Sequence, residues 1–476
     1  MHYQLEALMA HREYFYAISR SIPLGRNTRS FNVFRPIRFP WGGWARFLVN
    51  VLLVGLAVGG GALPAGSRRA GASGEVGFRD FSYLGATSPT GQKPQSKLWF
   101  HDGLWWGVLF NTSAQRFHIY RFNWAAQTWV DTGTVVDDRQ GSSADCLWDG
   151  RRLYVASAVS SNSLSDTGLR VLRYSYSSVT QTYSRDGGFP VVVASATVEA
   201  VVLDKDTTGR LWVTYTDGNG AGGRQVYVAH STANDKNWTA PYVLPVAGAA
   251  NLTGDDISAL VAFDSQIGVM WSNQADHAMY FAAHADGASD AVWAVNPALQ
   301  GPNYADDHIN LKSLQADPSG RVFAAVKTSL NDVSPSTSSQ PLVLLLVLDE
   351  NGSWNRYTFG RVSDRHNRPL VLIDAENRNL YLFATVQLSG QTSGWIAYKQ
   401  TSLDNIAFDA GPGTPFIQSS TYTHLNNAAS TKQNLNRASG LLVIAGDDSD
   451  RSYFHNVLPP PSSSPRFFVF LPTILR

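Results

Sequence analysis

Apolar and polar positions repeat one pattern between residues 77 and 457: an apolar strand, a turn rich in Asp and Gly, and a second apolar strand. The pattern reads KLWFHDGLWWGVLF from Lys97, DCLWDGRRLYVAS from Asp145 and NLKSLQADPSGRVFAAV from Asn310. Alternation with period two predicts strands, and the short polar turns predict hairpins. The turns fall near residues 102, 149, 207, 266, 318, 376 and 438, at a spacing of 47 to 62 residues.

A second hairpin follows most of these units, as in FHIYRFNWAAQTWVDTG from Phe117 and VYVAHSTANDKNWTAPY from Val226. Each unit therefore contains about four strands, and self-similarity at this period is typical of propeller blades. A blade cannot bury both faces alone, so consecutive blades must stack on each other. The sequence predicts an all-β fold: a seven-bladed β-propeller of four-stranded antiparallel blades over residues 77–457, preceded by a signal segment.

Two late turns carry a family resemblance. STANDKNW (231–238) and TSLDNIAF (401–408) resemble degenerate Asp-boxes, the S-x-D-x-G-x-x-W turns of sialidase-like or BNR-type propellers. Neither turn has both the Asp at position three and the Gly at position five. The resemblance covers about 380 residues, and it implies a superfamily that includes glycosidases, polysaccharide lyases and plain binding proteins.

A true sialidase is disfavoured. Such an enzyme needs three converging arginines to bind the substrate carboxylate. Arg368, with Arg365 nearby, is the arginine at the start of a predicted first strand. The arginines that fall in turns are Arg152, Arg210, Arg321 and Arg378.

Composition narrows the classes of partner. Hydrophobic residues make up 44% of the 476 residues and charged residues only 16%, which suits a large all-β protein. The first 65 residues contain seven arginines and two acidic residues, so the remainder carries a formal charge of −4. That balance excludes a strongly basic surface, and we expect no nucleic-acid partner. Cys146 is the only cysteine, so no disulfide can form within the chain.

The N-terminal part of the sequence suggests export. WARFLVNVLLVGLAVGGGALPAG from Trp44 has basic residues before it, an apolar run over 47–58 and then small residues, which is typical of a secretory signal. A transmembrane anchor is the alternative. We assign 1–65 to the leader and signal, 66–76 to a linker, and 458–476 to a Pro/Ser linker with a short apolar tail. We expect a secreted or surface-associated protein, a monomer that meets the membrane only through its signal.

Polar residues stand where the predicted first strands begin. The first strand of each propeller blade lines the central channel, so these residues should converge at one end of it. Buried charges need water, partners or hydrogen bonds, and a mixed ring of donors and acceptors also suits sugar hydroxyls. A channel that is merely water-filled and polar is the alternative. The predicted ligand-binding residues are Lys97, Asp256, Asp307, Asn310, Lys312, His366, Arg368, His424 and Asn426.

Three residues are candidates for catalysis: Glu199, Asp145 and His308. Glu199 with Asp145 or Asp256 would make the acid and nucleophile or base pair of a glycosidase, and the alternative is a carboxylate paired with a channel cation. His308 beside Asp307 would be a general base or a strand cap.

No cofactor is predicted from motifs, although the acidic stretches 204–209 and 447–450 would suit Ca²⁺. A divalent metal held by His308, His366 and His424 is a further hypothesis.

Three functions stay open at this point. The first is a carbohydrate-binding propeller, for which Trp105, Trp106, Trp148 and Trp271 would offer stacking faces if they reach the rim. The second is a glycoside hydrolase or polysaccharide lyase that uses the same ring. The third is a non-catalytic propeller that binds another protein.

Overall fold

The computed structural model describes residues 74–458, except 88, 92, 160–167, 196, 197, 199, 218–222 and 315–318. The predicted leader, signal and tail lie outside this part, and so does Glu199. Within the described residues, no helix is both long and apolar enough to cross a membrane.

Strands dominate the described chain, with one short 3₁₀ helix at Val362–Asp364. The strands, in chain order, are β1 (Phe78–Ser82), β2 (Leu98–His101), β3 (Leu104–Asn111), β4 (Arg116–Asn123), β5 (Thr128–Asp137), β6 (Ser142–Trp148), β7 (Leu153–Val159), β8 (Leu169–Ser177), β9 (Thr182–Arg185), β10 (Val191–Ala194), β11 (Val201–Lys205), β12 (Leu211–Asp217), β13 (Gln225–His230), β14 (Tyr242–Val243), β15 (Ser258–Phe263), β16 (Gln266–Asn273), β17 (Ala278–Ala285), β18 (Ala294–Gln300), β19 (Ile309–Ser313), β20 (Val322–Lys327), β21 (Pro341–Leu348), β22 (Trp354–Arg361), β23 (His366–Asp374), β24 (Asn379–Gln387), β25 (Gly394–Ser402), β26 (Thr414–Ile417), β27 (Leu425–Ala429), β28 (Leu441–Asp447) and β29 (Ser452–Leu458).

Antiparallel sheets follow one another along the chain. Four of them place four consecutive strands side by side: β2 to β5, β11 to β14, β15 to β18 and β19 to β22. A fifth runs β6-β7-β8, and both β9 and β10 pair with β8. The eight-stranded sheet comprises β23 to β26 and the run β27-β28-β29-β1, joined through the single pair Gly394 and Leu425. The first hairpin predicted for each repeat is confirmed as an antiparallel pair.

The first strands of the sheets form a closed ring. Each contacts the next in the order β2, β6, β11, β15, β19, β23, β27. The carbonyl oxygen of Ser430, just after β27, accepts hydrogen bonds from the backbone N–H groups of Lys97 and Leu98 at 3.0 and 2.9 Å. The end of β27 therefore lies beside the start of β2, which closes the ring. Sheets arranged radially around first strands are the architecture of a β-propeller.

The N-terminal strand closes the last sheet. β1 pairs with β29, and Phe78 lies opposite His455. Arg79 donates to Asp450 Oδ2 at 2.7 Å, which ties the two ends of the described chain together. The closed ring therefore depends on pairing between its first and last strands.

Large aromatic side chains fill the space between sheets. Trp99, Trp106 and Trp212 are fully buried, and burying such side chains supplies much of the stability of a fold. Trp105 and Trp271 are also buried, so three of the four tryptophans considered as stacking faces belong to the core. Trp148 alone of those four stays partly exposed.

The turns that resemble Asp-boxes connect third and fourth strands. Residues 231–238 lie between β13 and β14, and residues 401–408 begin at the end of β25 and lead towards β26. In the first turn, Ser231 bridges to Trp238, whose Nε1 donates to Asp235 O at 3.1 Å. The aromatic residue thus fastens the turn, whichever family the turn belongs to.

Candidate functional site

The Asp145 carboxylate links neighbouring sheets inside the channel. Asp145 lies in β6 and is fully buried. Its Oδ1 accepts the N–H of Ser96, and its Oδ2 accepts the N–H of Leu203, both at 2.7 Å. These residues belong to the sheets before and after its own, so the carboxylate joins three sheets at the hub.

Two more side chains bridge sheets in the same way. Asp204 in β11 accepts the N–H of Ala262 in β15 at 2.8 Å, and Asn310 in β19 accepts the N–H of Val371 in β23 at 3.2 Å. A buried backbone N–H needs such a partner. Polar residues in these first strands therefore have a structural use.

Lys432 crosses the channel. It follows β27, and its Nζ donates to Asp145 Oδ2 and to Leu203 O, each at 2.5 Å. The last sheet is thereby bound to the second and third.

Two predicted lysines lie in the same buried hub. Lys97 donates to Ala144 O at 2.6 Å, and Lys312 donates to Asn310 Oδ1 at 3.1 Å. Burial lowers the pKa of Lys97 to about 8. Burial, together with the positive charge of Lys432, lowers the pKa of Lys312 to about 7. The structure thus brings Lys97, Asp145, Asn310 and Lys312 together, in contact with protein groups.

The segment before β2 covers the face of the channel where the first strands begin, here called the strand-start face. Gln95 Nε2 donates to Val201 O of the third sheet at 3.0 Å. Asn310 Nδ2 donates to Lys93 O at 3.2 Å, and the Lys93 ammonium group forms an ion pair with Asp307. The segment therefore reaches from the first sheet to the third and fifth across this face.

His308 belongs to an ion-pair cluster on that face. Its Nδ1 bonds to the Asp306 carboxylate and lies 2.7 Å from Asp307 Oδ1, while Lys327 also pairs with Asp306. Burial lowers the pKa of His308 to about 4. Burial raises the pKa of Asp306, but His308 and Lys327 outweigh it and hold that pKa below its usual value.

Among the described residues, Asp306, Asp307 and His308 are the one group whose ligand atoms lie close enough for a metal ion, within 4.8 Å of one another. Lys93 and Lys327 pair with its two carboxylates. Since ammonium groups take the positions that a cation would use, we assign an ion-pair network here.

Other predicted residues lie apart from the hub. His366 is fully buried, and its Nε2 donates to Pro412 O at 2.9 Å, with the Phe359 ring 4.7 Å away. His424 Nδ1 lies 3.2 Å from Ser393 Oγ. The three histidines considered as metal ligands have separate partners in separate places.

Asp256 and Asn426 stabilise local structure. Asp256 Oδ2 accepts the N–H of Thr253 at 2.7 Å, which closes a turn before β15. Asn426 is bound between Thr385 Oγ1 at 3.1 Å and Asp448 Oδ2 at 2.9 Å. Both side chains are buried.

Arg368 lies at one of two matching irregularities on the strand-start face. The register shifts between Asn367 and Leu370 in β23, and again between Asn426 and Ala429 in β27. Arg368 and Asn427 have positive φ angles of 51° and 55°, and both side chains line a small cavity with Lys93 and Gln95. That cavity has room for about one water molecule, at ≈ 10 Å³.

The acidic stretches considered for Ca²⁺ are bonded internally. Asp206 accepts from Thr208 Oγ1, from the N–H of Arg210 and from Trp212 Nε1, at 2.7 to 2.9 Å. Asp447 Oδ1 accepts two backbone N–H groups of its own turn. The hydrogen bonds that shape these turns account for the presence of both carboxylates.

An open cavity lies at the opposite ends of the first strands, here called the turn face. Its volume is ≈ 1130 Å³, slightly above the range of about 300–1,000 Å³ usual for small-molecule sites. The turns after β6, β11 and β15 form most of its wall. Its lining includes Trp148, Asp149, Asp204, Lys205, Asp206, Phe263, Asp264, Gln266, Gln433 and Asn434.

Trp148 gives the cavity an aromatic wall. The His101 ring lies 3.9 Å from it at an interplanar angle of 31°, which fixes the orientation of the indole. His101 Nδ1 lies 2.9 Å from the Tyr183 hydroxyl, so the histidine is itself held. An oriented, partly exposed indole is the kind of surface on which sugar rings stack.

The surroundings of two carboxyl groups of the cavity, those of Asp149 and Asp204, shift their pKa values in opposite directions. Asp149 forms an ion pair with Lys205 at 2.5 Å. Burial raises the pKa of Asp149, but this ion pair and the N–H groups of Arg152 and Arg151 outweigh burial and lower it. Burial raises the pKa of Asp204. The pKa values of these two carboxyl groups are thus shifted in opposite directions, as in acid–base pairs.

The polar ring predicted from the sequence lies on the strand-start face, at the opposite ends of the first strands from this cavity. A signal for the turn face was present, because aspartates recur at the ends of first strands, at 102, 149, 204 and 264. Such aspartates are also what hairpin turns require, and the pattern therefore predicted turns, with Ca²⁺ considered at 204–209.

No protein-family model matches the chain, and no curated protein matches it in sequence. A solved polysaccharide lyase, a PL25 ulvan lyase, aligns with TM-score 0.50 over 81% of this chain and 96% of that chain, at 9% identity. The same lyase bound to -[GlcA(1-4)Rha3S]- gives 0.46 over 79% and 96%, at 10% identity. An alpha-L-arabinanase of Penicillium chrysogenum complexed with arabinobiose gives 0.44 over 70% and 100%, at 14% identity. The first alignment indicates a shared fold.

Proposed function

We propose that this protein binds glycans in the turn-face cavity. The observation that carries the proposal is an open space of ≈ 1130 Å³ lined by an oriented indole, carboxylates and amides. Aromatic faces stack on sugar rings, and carboxylates and amides supply the acceptors and donors that hydroxyl groups need. A ulvan lyase with the same fold supports the glycan class.

The strand-start residues have a different part in this proposal. Asp145, Lys97, Asn310 and Lys312 are buried and bonded to protein groups, so they hold the ring together. The predicted ligand-binding role of Lys97, Asn310 and Lys312, and the predicted catalytic role of Asp145, would require the segment around Lys93 and Gln95 to move aside. A glycan at the turn face needs no such movement.

The experiment compares two tryptophans. Trp148→Ala should weaken binding of oligosaccharides about tenfold or more, equal to about 1.4 kcal/mol, when it is measured at a temperature where the variant remains folded. The matched control is Trp124→Ala, since Trp124 is also partly buried but lies in the turn between β4 and β5. Equal affinity in both variants would place the ligand elsewhere, and no glycan binding at all would favour a protein-interaction propeller.

Hydrolysis of the bound glycan is a second candidate, favoured by the Asp149 and Asp204 environments. Asp204 would donate a proton to the leaving oxygen, and Asp149 would act as the base or nucleophile. Release of reducing ends from oligosaccharides, abolished in both Asp149→Asn and Asp204→Asn, is the expected result. Wild-type protein that binds without any release would limit the function to binding.

We further propose seven blades, a distant relation to the BNR-type propellers, and export through the N-terminal signal. The ring order of first strands supports the blade count, and the turn at 231–238 supports the relation. Mass spectrometry of the protein recovered from the medium of an expressing bacterium would test export. A new N-terminus near residue 65 is expected, and an uncleaved protein in the membrane fraction would favour an anchor.

A further inference from the structure

The charges around the turn-face cavity are unbalanced. Its lining contains four aspartates (149, 204, 206 and 264) and one lysine, Lys205. Lys205 is already paired with Asp149 at 2.5 Å. Asp206 and Asp264 therefore set the sign of the potential that a ligand meets.

Asp206 and Asp264 bring two further carboxylates to the ligand space. Asp206 accepts hydrogen bonds from a hydroxyl, a backbone N–H and an indole N–H, all neutral. Asp264 is exposed at the mouth, where Ser265 is also exposed. Within the described part of the chain, neither carboxylate is placed in an ion pair with a cation.

A further carboxylate stands behind the wall. Asp286 Oδ2 accepts both the N–H and the hydroxyl of Thr207, a residue of the lining. Lys432 partly offsets Asp204, because its ammonium group lies close to that carboxyl from inside the hub. Carboxyl groups therefore outnumber ammonium groups around the cavity, and a cleft lined mainly by charges of one sign concentrates ligands of the opposite sign.

We propose that the cavity selects saccharides that carry amino groups, accepts neutral ones more weakly, and excludes polyanionic glycans. This inference rests on the proposed glycan function. A protonated amine would lie near Asp264 and Asp206, whereas a uronate or sulfate group would meet like charges at a cost in affinity. The selectivity would thus differ from that of a protein that takes a sulfated uronate polymer.

The test uses three oligosaccharides of equal length measured by calorimetry: a glucosamine oligomer, its N-acetylated counterpart and a galacturonate oligomer. The expected order of affinity is amine, then neutral, then uronate, with at least tenfold between the first and last at low salt. Raising the ionic strength should reduce the preference, because salt screens exposed charges.

Two variants locate the effect. Asp264→Lys should reduce the amine preference at least threefold, and Asp332→Asn, an exposed acid between β20 and β21, should leave it unchanged. Uronate binding as tight as or tighter than the neutral oligomer would overturn the inference and leave glycan binding intact. Selectivity unchanged in Asp264→Lys would also overturn it. Failure of all three ligands to bind would remove the proposed function, and this inference with it.

Discussion

The Lys432 ammonium group lies 2.5 Å from the Asp145 carboxylate and ties the segment after β27 to β6 across the hub. Asp145→Ala should lower the free energy of unfolding by about 3–5 kcal/mol, because it leaves a buried cation unpaired. Urea denaturation of the single and double variants with Lys432→Met is the measurement. The double variant should lose less than the sum of the single losses, and strict additivity would contradict direct coupling.

Lys312 should make stability rise with pH. Burial lowers its pKa from 10.5 to about 7 in the folded protein. Between pH 7 and 10.5 the unfolded chain therefore binds more protons, and stability increases with pH through that window. Lys312→Met should stabilise the protein by a few kcal/mol at pH 6 and by much less at pH 10.

The exposed Lys236→Met is the matched control for Lys312. Its change in the free energy of unfolding should stay within about 0.5 kcal/mol at every pH. A gain in Lys312→Met that does not depend on pH would contradict the shifted pKa. Lys97, whose pKa is lowered to about 8, should add to the same slope.

His366 should make the protein sensitive to acid. Burial lowers its pKa from 6.5 to about 4, although its bond to Pro412 O opposes the shift. Between pH 6.5 and 4 the unfolded state takes up a proton that the folded state does not, so stability falls as the pH falls. His366→Gln keeps an N–H donor for Pro412, and it should flatten this loss by up to about 3 kcal/mol. Melting curves recorded from pH 7 to 4.5 measure this loss of stability. The control is His277→Gln at an exposed position, and it should show the same dependence of stability on pH as the wild-type protein.

Removal of β1 should open the ring. Without residues 74–82 the β29 edge loses its paired strand and exposes unpaired N–H and C=O groups. We expect a lower melting temperature, measured by circular dichroism, and aggregation on heating, measured by light scattering. Addition of a peptide that spans 74–85 should restore part of the loss, and a truncated protein as stable as the full chain would contradict a closing role for β1.

The strand pattern of this fold can be predicted from sequence because alternation and turns are local. The DG turn of Asp102 and Gly103 and the period-two strands around it carry their own signal. Positive φ angles of 54° and 71° at these two residues fit that turn. The first hairpins are therefore found where the sequence predicts them.

The sequence could not show whether a ligand can reach the predicted ring of polar residues. Asp145, Asn310 and Lys312 do lie in first strands as expected. What buries them is the path of the segment around Lys93, which crosses to residues more than 200 positions away in the chain, and the reach of Lys432. Neither path has a local signature, because each depends on how distant sheets meet.

Pairing of β1 with β29 brings together Arg79 and Ser452, which lie 373 positions apart in the chain. During synthesis, β1 leaves the ribosome long before its partner exists, so its polar edge must wait unpaired while the other sheets form. The ring therefore cannot close until β29 has been made. A stalled ribosome would leave an incomplete ring with two open edges, a ready target for chaperones and proteases.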